Sequence, residues 1–277
     1  MPVVHTQRRH VGLRALLVGM VLALFIYGFW LASENPNVVL FGRALTKEPV
    51  AERVVALTFD DGPNPPYTSD LVAWLKQHGA VATFFCVGRA VQRYPDVVRA
   101  EVAAGDEVGN HTWDHAHLLL ERPSHQRSEL TRTSAAIKAA AGVTPTVFRP
   151  PFGGRDPEIV ALASSLGMKT VLWSVPLAGD WNRPPAATIA KRLLADVKPG
   201  SILVLHDGNK GACGVVPHLP PTACDRSQSV EAAKIIVSKL QAEGYRFVTV
   251  DQLLELAPSP PTEIENEQES VGGSPKI

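Results

Sequence analysis

The longest apolar stretch of the chain lies near its N-terminus and runs from Val11 to Ala32, broken mainly by Arg14, Tyr27 and a few glycines. About 20 apolar residues in a row allow a helix to cross a lipid bilayer. Arginines precede the stretch and Glu34 follows it, so the positive-inside rule predicts a cytoplasmic N-terminus and an extracytoplasmic remainder. We therefore predict a single-pass anchor in the cell membrane.

A cleaved signal peptide is the alternative interpretation of this stretch, and it would give a secreted or periplasmic protein. Signal peptides usually have an apolar core of about 7 to 15 residues, followed by a small-x-small cleavage site. This stretch is longer, and Leu31-Ala32-Ser33 matches such a site poorly. A buried helix of a soluble protein is disfavoured, because the stretch lacks a polar face. Both remaining interpretations export the rest of the chain.

After residue 50 the pattern changes to short apolar or β-branched stretches that alternate with amphipathic ones. The short stretches predict seven strands, at Val54–Phe59, Val81–Val87, Glu107–Asn110, Thr146–Phe148, Lys169–Trp173, Ile202–Leu205 and Arg246–Val250. The amphipathic stretches predict helices at Thr68–His78, Pro95–Ala104, Ser124–Ala141, Pro157–Leu166, Ala187–Asp196 and Ser229–Glu243. Such alternation is typical of parallel α/β folds. We predict a closed or nearly closed β/α barrel, with an open doubly wound sheet as the alternative.

The segments around this alternating region lack clear periodicity. We expect a cytoplasmic N-terminus (1–10), the anchor (11–32), a linker (33–50), one α/β domain (51–257) and a tail (258–277). The tail is rich in proline, glutamate, glycine and serine, and such a composition cannot bury enough apolar surface to fold. We therefore expect the tail to be disordered.

Charge and motifs narrow the classes of partner. Lysine plus arginine number 27 and aspartate plus glutamate number 27, so the charge balance gives no support to nucleic-acid binding. Neither a G-x-G-x-x-G nor a P-loop pattern opens a predicted helix, so a nucleotide cofactor has no support either. Partners must therefore be inferred from local clusters of residues.

Nearly every unusual cluster of residues falls just after a predicted strand. The five clusters are Thr58–Pro63, Gly109–His115, Phe148–Arg155, Leu172–Trp181 and Ile202–Gly208. In a β/α barrel the C-terminal ends of the strands carry the reactive groups. We therefore expect the clusters to meet in one site.

Asp60 and Asp61 end the first predicted strand, and Gly62 follows them. Neighbouring side chains of a strand point to opposite faces, so both carboxylates can serve one site only if the chain bends, which Gly62 would permit. A solvated Asp-Gly turn is the alternative. A glycosidase pair of carboxylates is weakly supported, because such pairs usually come from separate elements.

His111 and His115 are spaced i, i+4, which would place both imidazoles on one side of a helical turn and within reach of one ion. With Asp61 they form a set of two histidines and one carboxylate, which is typical of catalytic zinc sites that leave a coordination position open. An isolated pair at this spacing would more often be two surface histidines on a loop. The nearby His117 is expected to be a bystander.

Two further residues have the chemistry of a catalytic site. Arg149 precedes two prolines that stiffen the turn, and we expect it to hold a carboxylate in bidentate geometry, with a surface ion pair as the alternative. Gly153-Gly154 would let the backbone approach a ligand. His206 ends a buried strand and is the natural general acid, because the unperturbed pKa of histidine is about 6.5. A lone histidine at a strand end is more often structural.

The five clusters in this order resemble the polysaccharide deacetylase family, also called carbohydrate esterase family four. The motifs that carry the resemblance are T-F-D-D-G, H-T-W-D-H and R-P-P-F-G, and the match covers roughly residues 50–257. The resemblance implies a distorted, incomplete β/α barrel that hydrolytically removes acetyl groups from N-acetylglucosamine-type residues of a polysaccharide such as peptidoglycan or chitooligosaccharide. The alternatives are an O-acetyl esterase of the xylan type and a non-catalytic polysaccharide-binding protein on the same scaffold.

The resemblance also implies a role for each matching residue. Asp60 would be the catalytic base, and Arg149 would orient it. The backbone N–H of Phe152 would stabilise the oxyanion. His206 would be the general acid, and Asp180 would tune it.

A divalent metal is implied by the same resemblance, with Asp61, His111 and His115 as its ligands. Zn²⁺ is the expected ion, and Co²⁺, Ni²⁺, Mn²⁺ and Fe²⁺ are the alternatives. The expected partners are thus a polysaccharide or oligosaccharide substrate, one metal ion and, through the N-terminal helix, the membrane.

The resemblance places three residues along the substrate groove, namely Trp181, Val204 and Pro151. Val204 stands where the family usually has leucine, a change that would alter the acetyl pocket only slightly. The fourth cluster departs further, because the family pattern is often W-x-V-D-x-x-D-W, whereas Pro176 replaces the first aspartate here and Asp180 falls one residue later. This departure weakens the assignment of Asp180.

The chain has three cysteines. Cys86 lies in an apolar stretch and is expected to be a buried packing residue. Cys213 and Cys224 flank a proline-rich loop, and in an exported protein two loop cysteines at this spacing favour a disulfide, with two free thiols as the alternative. The segment Gly211–Asp225 resembles an insertion beside His206 and is expected to shape the substrate groove.

Overall fold

The N-terminal apolar stretch forms one long helix, α1 (Val4–Glu34). The computed structural model describes residues 4–42 and 44–256, so the expected tail lies outside the described residues. By length and composition, Leu16–Glu34 can cross a membrane, and the large apolar side chains from Leu16 to Leu31 are exposed, apart from the half-buried Trp30. The helix extends beyond the predicted stretch at both ends, because polar residues also support helical backbone.

Seven strands form one sheet in which every ladder is parallel. They are β1 (Val54–Asp60), β2 (Thr83–Cys86), β3 (Glu107–Asn110), β4 (Val147–Phe148), β5 (Lys169–Thr170), β6 (Ser201–His206) and β7 (Arg246–Phe247). The strand order is β5-β4-β3-β2-β1-β6, and β7 pairs with β1. The seven strands and their parallel α/β arrangement were predicted from the sequence and are confirmed.

The sheet curves into a distorted, incomplete barrel. In the described part of the chain, β5 and β6 do not pair with each other directly. Instead, the segment after α1 reaches across, because Leu45 pairs with Val171 beyond β5 and Lys47 pairs with Ser201 of β6. The residues expected to form a linker therefore pack against the domain, and Phe41 among them is buried.

Eight further helices surround the sheet in the described residues. They are α2 (Tyr67–Gln77), α3 (Gly88–Arg93), α4 (Pro95–Ala104), α5 (Pro123–Ala141), α6 (Pro157–Ser165), α7 (Ala186–Leu194), α8 (Ser227–Ala242) and α9 (Val250–Leu256). Six of them lie close to the predicted positions. The sequence did not predict α3, because six residues are too few for a helical period to be visible.

The helix α9 replaces the end of a predicted strand. The prediction that the last strand runs to Val250 was wrong, because the strand ends at Phe247. The Thr249 N–H donates to the Gln252 side chain at 3.0 Å, and the Gln252 N–H donates to the Thr249 hydroxyl at 3.2 Å. This reciprocal pair is a capping box, which starts a helix at this point.

The alternation of side chains along β1 decides which residues enter the site. All seven residues of β1 are buried. Val55, Leu57 and Phe59 pack into the core between the sheet and the helices, whereas Val54 and Ala56 pack on the other face of the sheet. Because side chains alternate between faces, the next residues on that second face are Thr58 and Asp60, which point into the barrel.

Candidate active site

The predicted clusters converge on one cavity of about 650 Å³ at the C-terminal ends of the strands. Eight residues with sequence-predicted roles line this cavity together, namely Asp60, Asp61, His111, His115, Phe152, Trp181, Val204 and His206. All five clusters, which follow five different strands, thus contribute to one site.

The chain bends at Asp61 itself and not at Gly62. Asp61 has a φ of 79°, so its backbone is in the left-handed region, which aspartate tolerates better than most residues. The prediction that Gly62 permits the bend was therefore wrong. Gly62 is required for another reason: a Cβ there would lie 2.1 Å from Oδ2 of Asp207.

The carboxylate of Asp61 and the two histidines form a compact group of possible metal ligands. One ligand atom from each of Asp61, His111 and His115 lies within 4.8 Å of the other two. Oδ1 of Asp61 lies 3.6 Å from Nε2 of His111 and 3.2 Å from Nε2 of His115. The histidines are not on a helical turn as predicted, because Thr112 and His115 both have a φ of 64°. The loop nevertheless directs both rings to the same point.

The pKa shifts of Asp61 and His115 suit a divalent cation. Burial opposes the ionisation of Asp61, but His115 and His111 outweigh it and hold the pKa of this carboxyl well below its usual value. Burial lowers the pKa of His115, and Asp61 offsets this only in part. Metal ligands of these types must be an anionic carboxylate and neutral imidazoles.

Hydrogen bonding also prepares the group for a metal. Nδ1 of His111 bonds the backbone oxygen of Arg149 at 2.7 Å, which leaves Nε2 as the nitrogen that faces Asp61. This is the outer-shell contact typical of a metal-bound histidine. Oδ1 of Asp61 is buried and lacks a hydrogen-bond partner among the residues that the structure describes. The residues present therefore fit a divalent metal of the zinc type.

Asp60 is held by Arg149 through a single contact. Nη1 of Arg149 lies 2.6 Å from Oδ1 of Asp60, and the arginine side chain is fully buried. The predicted bidentate geometry was wrong, because the other donors bind elsewhere: Nη2 donates to the Leu172 oxygen and Nε to the Val171 oxygen. Nη1 also donates to the hydroxyl of Thr58. The arginine thus fixes one oxygen of Asp60 and leaves the other available.

His206 and Asp180 form the third part of the site. Nδ1 of His206 lies 3.0 Å from Oδ1 of Asp180, while Oδ2 of Asp180 accepts from the His206 N–H and from the Ser229 hydroxyl. Burial alone would lower the pKa of His206, but Asp180 outweighs it and raises this pKa to about 9. The altered spacing of the fourth motif therefore does not separate Asp180 from the histidine.

The remaining predicted residues lie around the cavity in different ways. Trp181 is 43% exposed and packs edge-on against His206, with 5.3 Å between ring centroids. Val204 is buried and lines the cavity. Phe152 is 43% exposed with a φ of 60°. Pro151 is buried, and its neighbour Pro150 is the proline that lines the cavity.

The insertion beside His206 forms one wall of the cavity. Cys213 and Cys224 are joined by a disulfide, with 5.7 Å between their Cα atoms. Ala223, next to Cys224, lines the cavity, and its oxygen accepts from the side chain of Asn209 at 3.0 Å. The side chain of Asn64 donates to the Cys224 oxygen at 2.9 Å. Cys86 is buried, as its sequence context predicts.

Several residues of the site had no role in the sequence analysis. Glu34, Asn209 and Lys210 line the cavity, and Ser229 supports Asp180. Asn209 and Lys210 follow His206 closely enough that their place in the chain was a usable signal. Glu34 and Ser229 come from helices far away in the sequence, and no motif marked them.

Comparisons with known proteins identify relatives of this chain. The sequence profile of a family described as "Polysaccharide deacetylase" matches residues 47–171. A peptidoglycan-N-acetylglucosamine deacetylase of Bacillus cereus is 35% identical over 207 residues, which cover 74% of this chain and 90% of that protein. A chitooligosaccharide deacetylase of a Bradyrhizobium species is 36% identical over 206 residues, covering 73% and 90%.

Solved structures include both active and inactive relatives. The peptidoglycan deacetylase PdaC from Bacillus subtilis superposes with a TM-score of 0.63 at 34% identity, covering 74% of this chain and 92% of that one. A protein from Bacillus anthracis described as a pseudoenzyme of carbohydrate esterase family four superposes with a TM-score of 0.66 at 27% identity, covering 76% and 69%. Similarity of fold alone therefore does not separate a catalyst from an inactive relative.

Proposed function

Because this chain belongs to the polysaccharide deacetylase family, we propose that it is a metal-dependent hydrolase that removes acetyl groups from N-acetylated sugar residues of peptidoglycan or chitooligosaccharide. The observation that carries the proposal is the convergence of Asp60, the Asp61–His111–His115 group and His206 on one cavity. Relatives that act on these two substrates match nearly three quarters of the chain. The substrate class follows from both observations together.

The metal would be held by Asp61, His111 and His115, and Zn²⁺ is the ion we propose. When bound, such an ion polarises a carbonyl group and makes a water molecule more acidic. The set of two imidazoles and one carboxylate favours zinc over the harder cations that prefer oxygen ligands.

The side chains around the metal would supply the proton transfers. Asp60, fixed by Arg149 at 2.6 Å, accepts the proton of the water that attacks the acetyl carbonyl. The backbone N–H of Phe152 donates to the oxygen that becomes negative. His206, whose pKa of about 9 keeps it protonated at neutral pH, gives a proton to the sugar nitrogen. The C–N bond then breaks, and acetate and a free amino sugar leave.

We propose that α1 remains uncleaved and anchors the enzyme in the cell membrane, with the catalytic domain outside the cytoplasm. Its exposed apolar side chains from Leu16 to Leu31 support this. Its last turn is also packed against the domain, since Trp30 lies 4.4 Å from His117 between ring centroids. The intact N-terminal peptide should appear when the membrane-extracted protein is analysed by mass spectrometry, whereas a cleaved signal would remove it.

The test of the proposed activity is release of acetate from a panel of substrates. The panel contains chitooligosaccharides, peptidoglycan and acetylxylan, each assayed with the metal-loaded enzyme and after chelation. We expect acetate from the N-acetylated substrates, loss of release with chelator and recovery when zinc is returned. Release from acetylxylan alone would favour an O-acetyl esterase. Substrate binding without release from any polymer would show a non-catalytic protein like the pseudoenzyme relative.

A further inference from the structure

The end of the anchor helix is tied to the catalytic domain by a buried arginine. Arg155 is 1% exposed, and its guanidinium donates to the backbone oxygens of Ser33, Asn35 and Val38 at 3.4, 3.2 and 3.0 Å. The last carbonyl groups of a helix lack partners within the helix. Arg155 binds one of them, the oxygen of Ser33, and also the oxygens of Asn35 and Val38 just beyond the end of α1. The position of the helix end relative to the active site is therefore defined by several bonds.

The last turn of α1 also packs directly on the loop that carries Phe152. Gly153 has a φ of 74°, and a Cβ on it would lie 3.0 Å from the backbone oxygen of Glu34, so both its backbone conformation and the approach of the helix favour glycine here. The ring of His117 stacks on Phe152 at 5.0 Å between centroids and faces Trp30 on its other side. Helix, histidine and active-site loop thus form one packed layer.

Glu34 is the polar group of this layer that faces open space. One of its carboxylate oxygens, Oε1, lies 3.0 Å from Nε2 of His117, and the side chain is 28% exposed. Glu34 lines the catalytic cavity. It also lines a second depression of about 400 Å³, which continues from the cavity because Phe152, Trp173 and Leu177 are shared by both.

This second depression, which we call the anchor groove, has the chemistry of a sugar-binding surface. It is lined by Leu31, Glu34, Asn37, Phe152, Trp173 and Leu177. Phe152 and Leu177 are 43% and 42% exposed and offer an apolar floor to the C–H face of a sugar ring. Glu34 offers a charged acceptor to sugar hydroxyls, and hydrogen bonds with an ionised partner are the stronger ones. An anionic lipid headgroup is disfavoured, because the carboxylate would repel it.

We propose that the anchor groove is a sugar-binding subsite, in which Glu34 accepts hydrogen bonds from a sugar residue that neighbours the one being deacetylated. This subsite rests on the proposed function, because it assumes that the cavity holds an acetylated sugar of a glycan chain. Leu31 belongs to the apolar part of α1 and lies about 4.5 Å along the helix from Glu34. The glycan in this subsite therefore lies where the membrane helix leaves the bilayer.

The test compares chitooligosaccharides of increasing length, from the disaccharide to the hexasaccharide, on the full-length enzyme in detergent micelles. We expect Glu34→Ala to lower kcat/KM by about tenfold for the longer oligosaccharides, because the variant loses one hydrogen bond to a charged acceptor. The loss should be smaller for the disaccharide, because it can also bind with its second sugar on the other side of the reacting residue, away from the groove. Leu177→Ala, which removes an exposed apolar residue of the groove, should show the same dependence on length through lost packing.

A matched control comes from Glu255→Ala, since Glu255 is exposed at the end of α9 and should behave as the unmodified enzyme with every substrate. The subsite is overturned if Glu34→Ala and Leu177→Ala lower kcat/KM equally for all lengths, which is the result of a purely structural role, or if neither changes it. Failure of the proposed function is a different result, because the unmodified enzyme would then release no acetate from any oligosaccharide.

Discussion

Arg149 contacts Asp60 through one nitrogen only, with Nη1 at 2.6 Å from Oδ1. The same nitrogen donates to the hydroxyl of Thr58 at 2.7 Å, and the other two donor nitrogens are committed to backbone oxygens of Val171 and Leu172. The guanidinium is therefore held in place by three further hydrogen bonds in addition to its contact with the carboxylate. This arrangement orients Asp60 and also satisfies carbonyl groups inside the barrel.

The first prediction concerns this arginine. Arg149→Lys keeps the positive charge but cannot reach Asp60, Thr58 and both backbone oxygens at once. We expect kcat to fall about a hundredfold, because a misplaced base costs roughly this much. We also expect the free energy of unfolding to fall by about 1–3 kcal/mol for each buried acceptor left without a partner. Acetate release and thermal unfolding of the purified variant measure the two effects.

The control for this variant is Arg246→Lys, because the Arg246 side chain is 62% exposed and pairs only at the surface. It should alter neither the rate nor the unfolding temperature noticeably. If Arg149→Lys behaves like this control, the arginine does not orient the base.

The second prediction separates the base from the metal ligands. Asp60→Asn removes the proton acceptor while leaving Asp61, His111 and His115 in place, so turnover should fall by about 10²–10⁴-fold with the metal retained. His111→Ala removes a ligand, so both turnover and bound metal should be lost. Acetate release and elemental analysis of the same preparations give the two readouts. Full turnover in Asp60→Asn, or an unchanged metal content in His111→Ala, would contradict the assigned roles.

The third prediction concerns the pH dependence of turnover. Burial alone would depress the pKa of His206, and Asp180 outweighs it to raise the value to about 9, with smaller contributions from Asp61 and Asp60. Asp180→Asn removes the negative charge that contributes most to raising the pKa of His206. This pKa therefore falls, and the histidine loses its proton at a lower pH. The alkaline limb of the kcat profile should therefore move to lower pH, with little loss at the acidic end.

The shift of the alkaline limb in Asp180→Asn can be compared with that of a second variant, Ser229→Ala. Ser229→Ala removes one hydrogen bond from Asp180 but leaves its charge beside His206. This variant should move the alkaline limb much less than Asp180→Asn does. Equal profiles for the unmodified enzyme and Asp180→Asn would show that His206 is not the acid whose protonation limits turnover.

The strands could be predicted from the sequence because buried parallel strands are short apolar stretches. The positions of the clusters could be predicted because each such stretch ends at a polar residue. Asp60 at the end of Val54–Asp60 and His206 at the end of Ser201–His206 are examples. Parallel pairing then places both at the same edge of the sheet, where Asp60 is the direct neighbour of His206. The fold class and the convergence of the clusters follow from this geometry.

The backbone conformation inside the loops could not be predicted in the same way. The spacing of His111 and His115 suggested a helical turn, whereas positive φ angles at Thr112 and His115 form the loop. Positive φ is rare for a β-branched residue such as Thr112, and its occurrence there depends on tertiary contacts. The role of Glu34 was hidden for a related reason: Glu34 and its partner His117 are far apart in the sequence, and only the folded chain brings them together.

The last prediction concerns stability and a carboxyl group far from the proposed chemistry. Asp106 is 7% exposed, and its Oδ1 accepts a hydrogen bond from the Ala82 N–H at 2.8 Å. Its Oδ2 is buried and has no hydrogen-bond partner within the described ranges. Burial raises the pKa of Asp106 from 3.8 to about 7, although the Ala82 bond opposes the shift.

A raised pKa means that the folded state keeps its proton between about pH 4 and pH 7, where the unfolded chain has lost it. The contribution of Asp106 to the free energy of unfolding is therefore complete below about pH 4 and is lost as the pH rises through about 7. Between about pH 5 and pH 8 this should lower the free energy of unfolding by at most about 2–3 kcal/mol. Asp106→Asn, which stays neutral and keeps the acceptor for Ala82, should remove this part of the pH dependence. Thermal unfolding at both pH values measures it, and Asp70→Asn on the exposed start of α2 should leave the dependence unchanged.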